Sequence, residues 1–559
     1  MSDLIYKIKP DYYMKIYKSQ KKQMQFKPVL LNLFIGFVFL IFTSFSFNSA
    51  ITGKPSYTLP DWSQLDPYKD GFEGTRTLEF YSFVETAHNL PKRNEVIVAV
   101  IDSGFDINHP ALKDNIWQNE KEINGVEGVD DDNNGYIDDY HGWNFLGNVR
   151  YLSLEVTREL KRLNYNNTPT NDEYYKKVKY NYEEEKSEIA NTLELFESSS
   201  SIIENAHKTL KEGGYSTNLE FLTEHVDKMP DKYKSAAMTL ITMESFFGIN
   251  PDYIESSIKE FQIKNKVLFD TTDTHILVGD NPEVLNETGY GNNTLLIDEN
   301  ESHGTHVAGT IAANVPGIGQ APFAKIMCLR AVPNEGDERD KDIGNAIRYA
   351  VDNGASVINM SAGKYFSRYP EYVTDAINYA NENGVVFVVS AGNEGFNLNE
   401  NPNYPRKYVV NNGKIETFPN VIVVGASTWM KKWSVEKDPD NLNYGFDLAA
   451  SFSNYSKDVV DVFAPGVEIN STVPGGKFER LSGTSMASPQ VAGIISIIKA
   501  FYPNLSPLEI KQLIHSTARQ YNDLEVRMRN ENNLEYFSNL SISGGVIDVM
   551  NIFQELLSN

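Results

Sequence analysis

Four residues far apart in the chain carry the groups that acyl transfer requires. They are Asp102 in "VIVAVIDSG", His303 in "SHGTHVAGTIAA", Asn393 in "SAGNEG" and Ser485 in "LSGTSMASPQVAG". A serine hydroxyl is too weak an acid to attack a carbonyl unaided. It needs an imidazole to take its proton, a carboxylate to orient and charge-balance that imidazole, and an amide donor for the oxyanion that forms. Each residue alone has an ordinary explanation: an aspartate in a turn, a histidine at a helix cap, a loop asparagine, a serine at a helix start. Together they supply the whole inventory. His306 follows His303 by three positions and shares its helical face, which is also how a metal pair looks. A metal hydrolase is therefore a rival, although no H-E-x-x-H glutamate and no third clustered ligand accompanies the pair.

The elements around these residues must place them together. The run "NEVIVAVIDSG" from Asn94 is continuous and β-branched, as expected of a parallel strand buried on both faces. Similar runs are "AKIMCLRAV", "GASVINMSAG", "GVVFVVSAGN" and "NVIVVGAST", and helical patterns such as "DIGNAIRYAVDNG" and "YVTDAINYANENG" alternate with them. The pattern predicts an α/β fold, a three-layer parallel sheet with helices on both faces. In such sheets functional groups gather beyond the carboxyl ends of the strands, near which all four residues fall.

One stretch breaks the alternation. Residues 148–288 are charged and helical in pattern, with apolar positions at Leu193, Phe196, Ile203 and Leu210. They are predicted to be a large helical insertion in a surface loop, tolerable because closure entropy grows slowly with loop length. The chain has 559 residues, with 51 Lys and Arg against 75 Asp and Glu and a net charge of -24. Such an excess repels nucleic acid and anionic membrane surfaces. Residues 1–27 hold seven lysines and precede an uncharged apolar run, residues 29–47. That combination predicts an export signal within residues 1–50, either cleaved or kept as a membrane anchor through residues 28–48. With one cysteine, Cys328, no intramolecular disulfide can form; its apolar setting predicts a buried strand thiol rather than a nucleophile.

The four motifs, in the order Asp, His, Asn, Ser, resemble those of subtilisin-type serine peptidases, the subtilases. The resemblance covers about residues 90–150 and 288–550. It implies a subtilisin-like catalytic domain, residues 94–147 and 289–559, that cleaves protein or peptide substrates and needs no cofactor for its chemistry. Ser485 is then the nucleophile, His303 the general base and acid, and Asp102 the group that holds the imidazolium. Asn393, with the Ser485 N–H, is the oxyanion donor; losing such a donor costs about 100- to 1,000-fold, a magnitude known from subtilisin itself. The resemblance also makes Ser361, Ala362 and Gly363, with Ser390, Ala391 and Gly392, the two walls that receive the substrate residue before the cut bond. An extended peptide would pair with them as an added strand. His306 becomes a packed structural residue. A non-catalytic scaffold on the same fold is the remaining alternative.

Two departures carry expectations of their own. The family's "HPDL" is His109, Pro110, Ala111 and Leu112 here, and the loop "AANVPGIGQAP" is short, so the family's main calcium site is expected to be missing. A substitute is legible in "VDDDNNGYIDDYHGWNF". Asp130, Asp132, Asn134, the Tyr136 carbonyl and Asp138 or Asp139 are spaced as in a calcium loop, with Gly135 at the turn. His141 stands where a bidentate glutamate would complete an EF-hand, so an acidic turn without metal is the alternative. Residues 51–93 are too short for an independent inhibitory propeptide domain and are expected to be an arm packed on the catalytic domain.

Overall fold

The computed structural model describes residues 59–87, 90–246, 249–411, 414–432, 447–528 and 534–558. The apolar run of residues 29–47 lies outside them. Among the described residues, no helix is long and apolar enough to cross a membrane. The chain divides into two compact units, one containing Glu188–Ile263 and the other containing Pro55–Ser187 and Lys264–Asn559.

The larger unit is built on one sheet of ten described strands. Nine follow one another in the order Arg519–Gln520, Gly545–Val546, Val462–Pro465, Val421–Lys432, Val386–Ser390, Val357–Met360, Ile97–Asp102, Lys325–Arg330 and Gly142–Asn144. The pairings are parallel except at Arg519–Gln520 and where the tenth strand, Asp447–Ala449, lies against Val421–Lys432. Successive side chains of a strand face opposite ways. Val98 and Val100 enter one core, which also takes the helices His303–Ala312 and Thr484–Phe501. Ala99 and Ile101 enter the other, with Asp340–Asp352 and Pro370–Glu382. This is the three-layer α/β arrangement that the alternating runs predict.

Ile97–Asp102 lies between Lys325–Arg330 and Val357–Met360, so the chain reverses its direction of travel across the sheet at this strand. That reversal leaves a crevice beyond the strand ends. Ile101 pairs with Met360, and Met360 with Val389. One residue further on, Asp102 and Ser390 end their strands and Ser361 directly follows its own, so the three stand in a row across adjacent strands. Cys328 is fully buried in Lys325–Arg330, where burial pushes its thiol well above the usual range.

Residues 59–87 lie along this unit. Trp62 Nε1 donates to the Val467 carbonyl at 3.0 Å, and Phe80, fully buried, packs its ring 4.4 Å from that of Phe553. The smaller unit has a core of its own, including Phe196, Ile203, Leu210, Leu222 and Ala237. It is narrower than the segment 148–288 marked out by charge and helical pattern, because residues 148–187 and 264–288 belong to the larger unit.

Candidate active site

Asp102 is the last residue of its strand and His303 the first of its helix. Asp102 Oδ1 accepts from the Ser103 N–H at 2.7 Å and from His303 Nδ1 at 2.7 Å. The helix can come this close because residue 304 is glycine: a Cβ there would stand 2.6 Å from the Gly104 carbonyl oxygen. The buried pair of Glu301 and Arg330, 3.0 Å apart, ties the entry to the helix to the strand beside Asp102. Burial alone would lower the His303 pKa, but the charge and hydrogen bond of Asp102 outweigh it and raise the pKa above its ordinary value. The imidazole side chain stays 39% exposed.

His306, one turn deeper, has no solvent exposure. Its Nε2–H points at the carbonyls of Ile469 and Glu479, at 2.9 and 3.1 Å. Burial, with His303 nearby, lowers its pKa to about 3, so it is neutral and structural. The two histidines thus have different partners and do not form a metal pair.

Ser485 is the second residue of Thr484–Phe501, where the first N–H groups of a helix have no intrahelical acceptor. Asn393 caps this end from another loop. Its Oδ1 accepts from Thr484 N at 2.8 Å and from Thr484 Oγ1 at 2.9 Å. Both bonds use the amide oxygen, which leaves Nδ2 as a donor beside the Ser485 N–H. Ser485 Oγ donates to the Ser361 carbonyl at 3.1 Å, and no hydrogen bond joins it to His303. The structure therefore brings together Asp102 with His303, and Asn393 with Thr484 and Ser361 with Ser485, while leaving the serine-to-imidazole bond unmade.

A cavity of about 160 Å³ opens beside Ser485. Ser361, Ala362 and Gly363 form one wall, and Ser390 and Gly392 line the other. Ala391 is fully buried and not part of the lining; its carbonyl accepts from Asn403 and Asn454. Lys364, Tyr365, Glu394 and Asn403 complete the cavity. Glu394 stands in the "SAGNEG" motif, but the motifs do not reach Lys364, Tyr365 and Asn403, which become its neighbours only when two strand ends and a distant loop meet. Tyr365 Oη donates to Glu394 Oε2 at 2.5 Å, and Asn454 Nδ2 donates to the same oxygen at 2.7 Å.

The model of the subtilase family matches residues 93–536, most of the chain and all four motifs. The chain belongs to the subtilase family. It is 40% identical over 221 residues to a thermophilic serine proteinase of Bacillus sp. (strain AK1), covering 39% of this chain and 47% of that protein. To subtilisin DY of Bacillus licheniformis it is 34% identical over 229 residues, 40% of this chain and 73% of that one. A solved cold-adapted subtilisin-like serine proteinase is 27% identical, with a TM-score of 0.33 over 43% of this chain and 74% of that chain. The chain spans about half the length of the relatives it first matches, 47% and 53%.

In this subtilase the acidic loop folds differently from its sequence spacing. Asp130 Oδ2 caps the Gly135 N–H at 2.8 Å, and Asp132 Oδ2 accepts from Asn119 Nδ2 at 3.0 Å. With Glu122, which spacing alone does not single out, they present carboxylate oxygens within 4.8 Å of one another. Asp138 and Asp139 turn elsewhere. Asp138 accepts from the Gly128 N–H and Tyr140 Oη. Asp139, fully buried with its pKa raised to about 6 by burial, accepts from Asn119, Asn134 and Tyr349. Three carboxylates suit a calcium ion, and the Asn134 N–H stays beside two of them, donating to Asp130 Oδ1 and Asp132 Oδ1 at 3.1 Å.

Proposed function

We propose that this subtilase is an exported serine endopeptidase acting through an acyl-enzyme. The observation that carries the reading is the row of strand ends: Asp102, bound to His303 at 2.7 Å, stands level with Ser361, whose carbonyl holds Ser485 Oγ at 3.1 Å. A rotation about the Ser485 side chain would exchange Ser361 for His303 Nε2 as acceptor, a bond that commonly tightens only with substrate bound. Ser485 Oγ then attacks the peptide carbonyl and His303 takes its proton. Asp102 stabilises the imidazolium, and His303 returns the proton to the leaving amine. Asn393 Nδ2 and the Ser485 N–H would receive the oxyanion, with Thr484 holding the asparagine in place. Water, activated by the same histidine, would release the acyl group.

Export rests on the lysine-rich start and apolar run within residues 1–50, and on likeness to proteins named as subtilisins. A structural calcium would be held by Glu122, Asp130 and Asp132, stiffening the loop without entering the chemistry. A serine-directed fluorophosphonate should label the protein stoichiometrically and stop peptide hydrolysis, while a zinc chelator should not. Inhibition by the chelator alone would favour the metal hydrolase.

A further inference from the structure

The stretch of residues 364–366, whose first two residues line the substrate cavity, is gripped from outside the catalytic motifs. Lys364 continues the cavity lining directly after Gly363 and is buried. Its Nζ donates to Glu155 Oε2 at 3.0 Å and to the Glu338 carbonyl at 2.8 Å, and lies 3.0 Å from Asp340 Oδ1. Glu155 opens the first helix of the inserted segment, Glu155–Tyr165, and does not line the cavity. Burial disfavours its charge, but Arg158 and Lys364 hold the carboxyl down at about 2. Arg158 also donates to the carbonyls of Asp337 and Glu338, and the Glu155 N–H to Asp337 Oδ2 at 2.7 Å.

A second grip is apolar. Phe366 sits in a cluster with Val156, Leu163, Tyr175 and Val178, all from the two helices that open the insertion. Tyr365, between the two gripped residues, packs against the same cluster and sends its hydroxyl to Glu394 inside the cavity. Each arm would be costly to leave half-made. A buried charge stripped of its partner and a gap against a packed ring are both unfavourable. The arms therefore fix the backbone of residues 364–366.

We infer that the opening helices of the insertion are a positioning element of the substrate-side-chain cavity, with Glu155 and Val178 setting the placement of Lys364, Tyr365 and Phe366. This rests on reading the cavity as the site for the residue before the cut bond. The insertion would then tune binding and selectivity while leaving the triad alone. A remote contact of this kind shows in KM and in the ranking of substrates more than in the reactivity of the nucleophile.

Two variants of the full chain test it: Glu155→Gln, which keeps shape but removes the charge, and Val178→Ala, which loosens the apolar arm and keeps the protein folded should the first variant melt early. Both are assayed on peptides that differ only in the residue before the cut bond, alongside the rate of fluorophosphonate labelling. The expected result is a KM raised about tenfold for the preferred peptide, a flattened ranking, and a labelling rate within about twofold of the parent. Unchanged KM and ranking in folded variants would overturn the inference. Failure of the parent protein to label or to cleave any peptide would instead overturn the peptidase reading.

Discussion

Ser361 Oγ donates a hydrogen bond of 2.9 Å to the main-chain carbonyl of Ser485. That acceptor is left over because residue 489, whose N–H would normally take it within the helix, is proline. Counting donors assigns the rest of the corner: Asn359 Nδ2 and the Ser488 hydroxyl donate to Ser361 Oγ, which keeps its own proton for Ser485. The side chain that repairs the helix thus belongs to the residue whose carbonyl holds the Ser485 hydroxyl. Ser361→Ala should lower stability by about 1 to 3 kcal/mol, the usual cost of orphaning a buried acceptor, and should lower kcat as the serine loosens. Denaturant melts and steady-state kinetics on the same preparation check both.

The acid limb of activity should follow His303. Catalysis needs the neutral imidazole, and Asp102 raises its pKa, so kcat/KM should fall as pH drops through a value above 6.5. In Asp102→Asn the charge that raises the pKa is gone while burial still lowers it. The limb should move to lower pH while turnover falls by about ten-thousandfold. A pH–rate profile of both proteins reads the shift; an unmoved limb would separate it from His303.

His306 gives a stability signature of opposite sign. Its folded pKa lies near 3 against an unfolded 6.5, so between these values the unfolded chain binds the extra proton. Its contribution to stability is whole above pH 6.5 and is lost as pH falls towards 3, at up to about 1.4 kcal/mol per pH unit. Urea melts from pH 7 to pH 4 should show that slope, and His306→Gln, which keeps a donor for the two carbonyls, should flatten it.

Much of this was legible in the residues. Buried parallel strands leave unbroken apolar runs, and Asp102, His303, Asn393 and Ser485 each sit where such a run ends or a helix begins. What pattern reading missed is set by neighbours far apart in sequence. Ala391 lies in a motif yet faces the core, since side chains alternate along an extended chain. Glu394 and Tyr365 meet only across the crevice. In the acidic loop, spacing marks oxygen-bearing residues but not their direction: Asp139 turns to Tyr349, whereas Glu122 comes from an earlier helix to join Asp130 and Asp132.

Calcium binding should depend on that second set. Millimolar calcium is expected to raise the melting temperature of the parent protein, and Asp130→Asn to abolish the rise, with Asp138→Asn having little effect. No heat on calorimetric titration and no change in melting temperature would remove calcium from the description.

The most direct measurement replaces the nucleophile alone. Ser485→Ala, compared with the parent protein at matched concentration, should melt cooperatively at nearly the same temperature and lose peptide hydrolysis by about a millionfold, leaving only the residual rate enhancement of binding and the oxyanion donors. A folded Ser485→Ala protein that still cleaves peptides at the parent rate would contradict the catalytic role given to Ser485 and to the site around it.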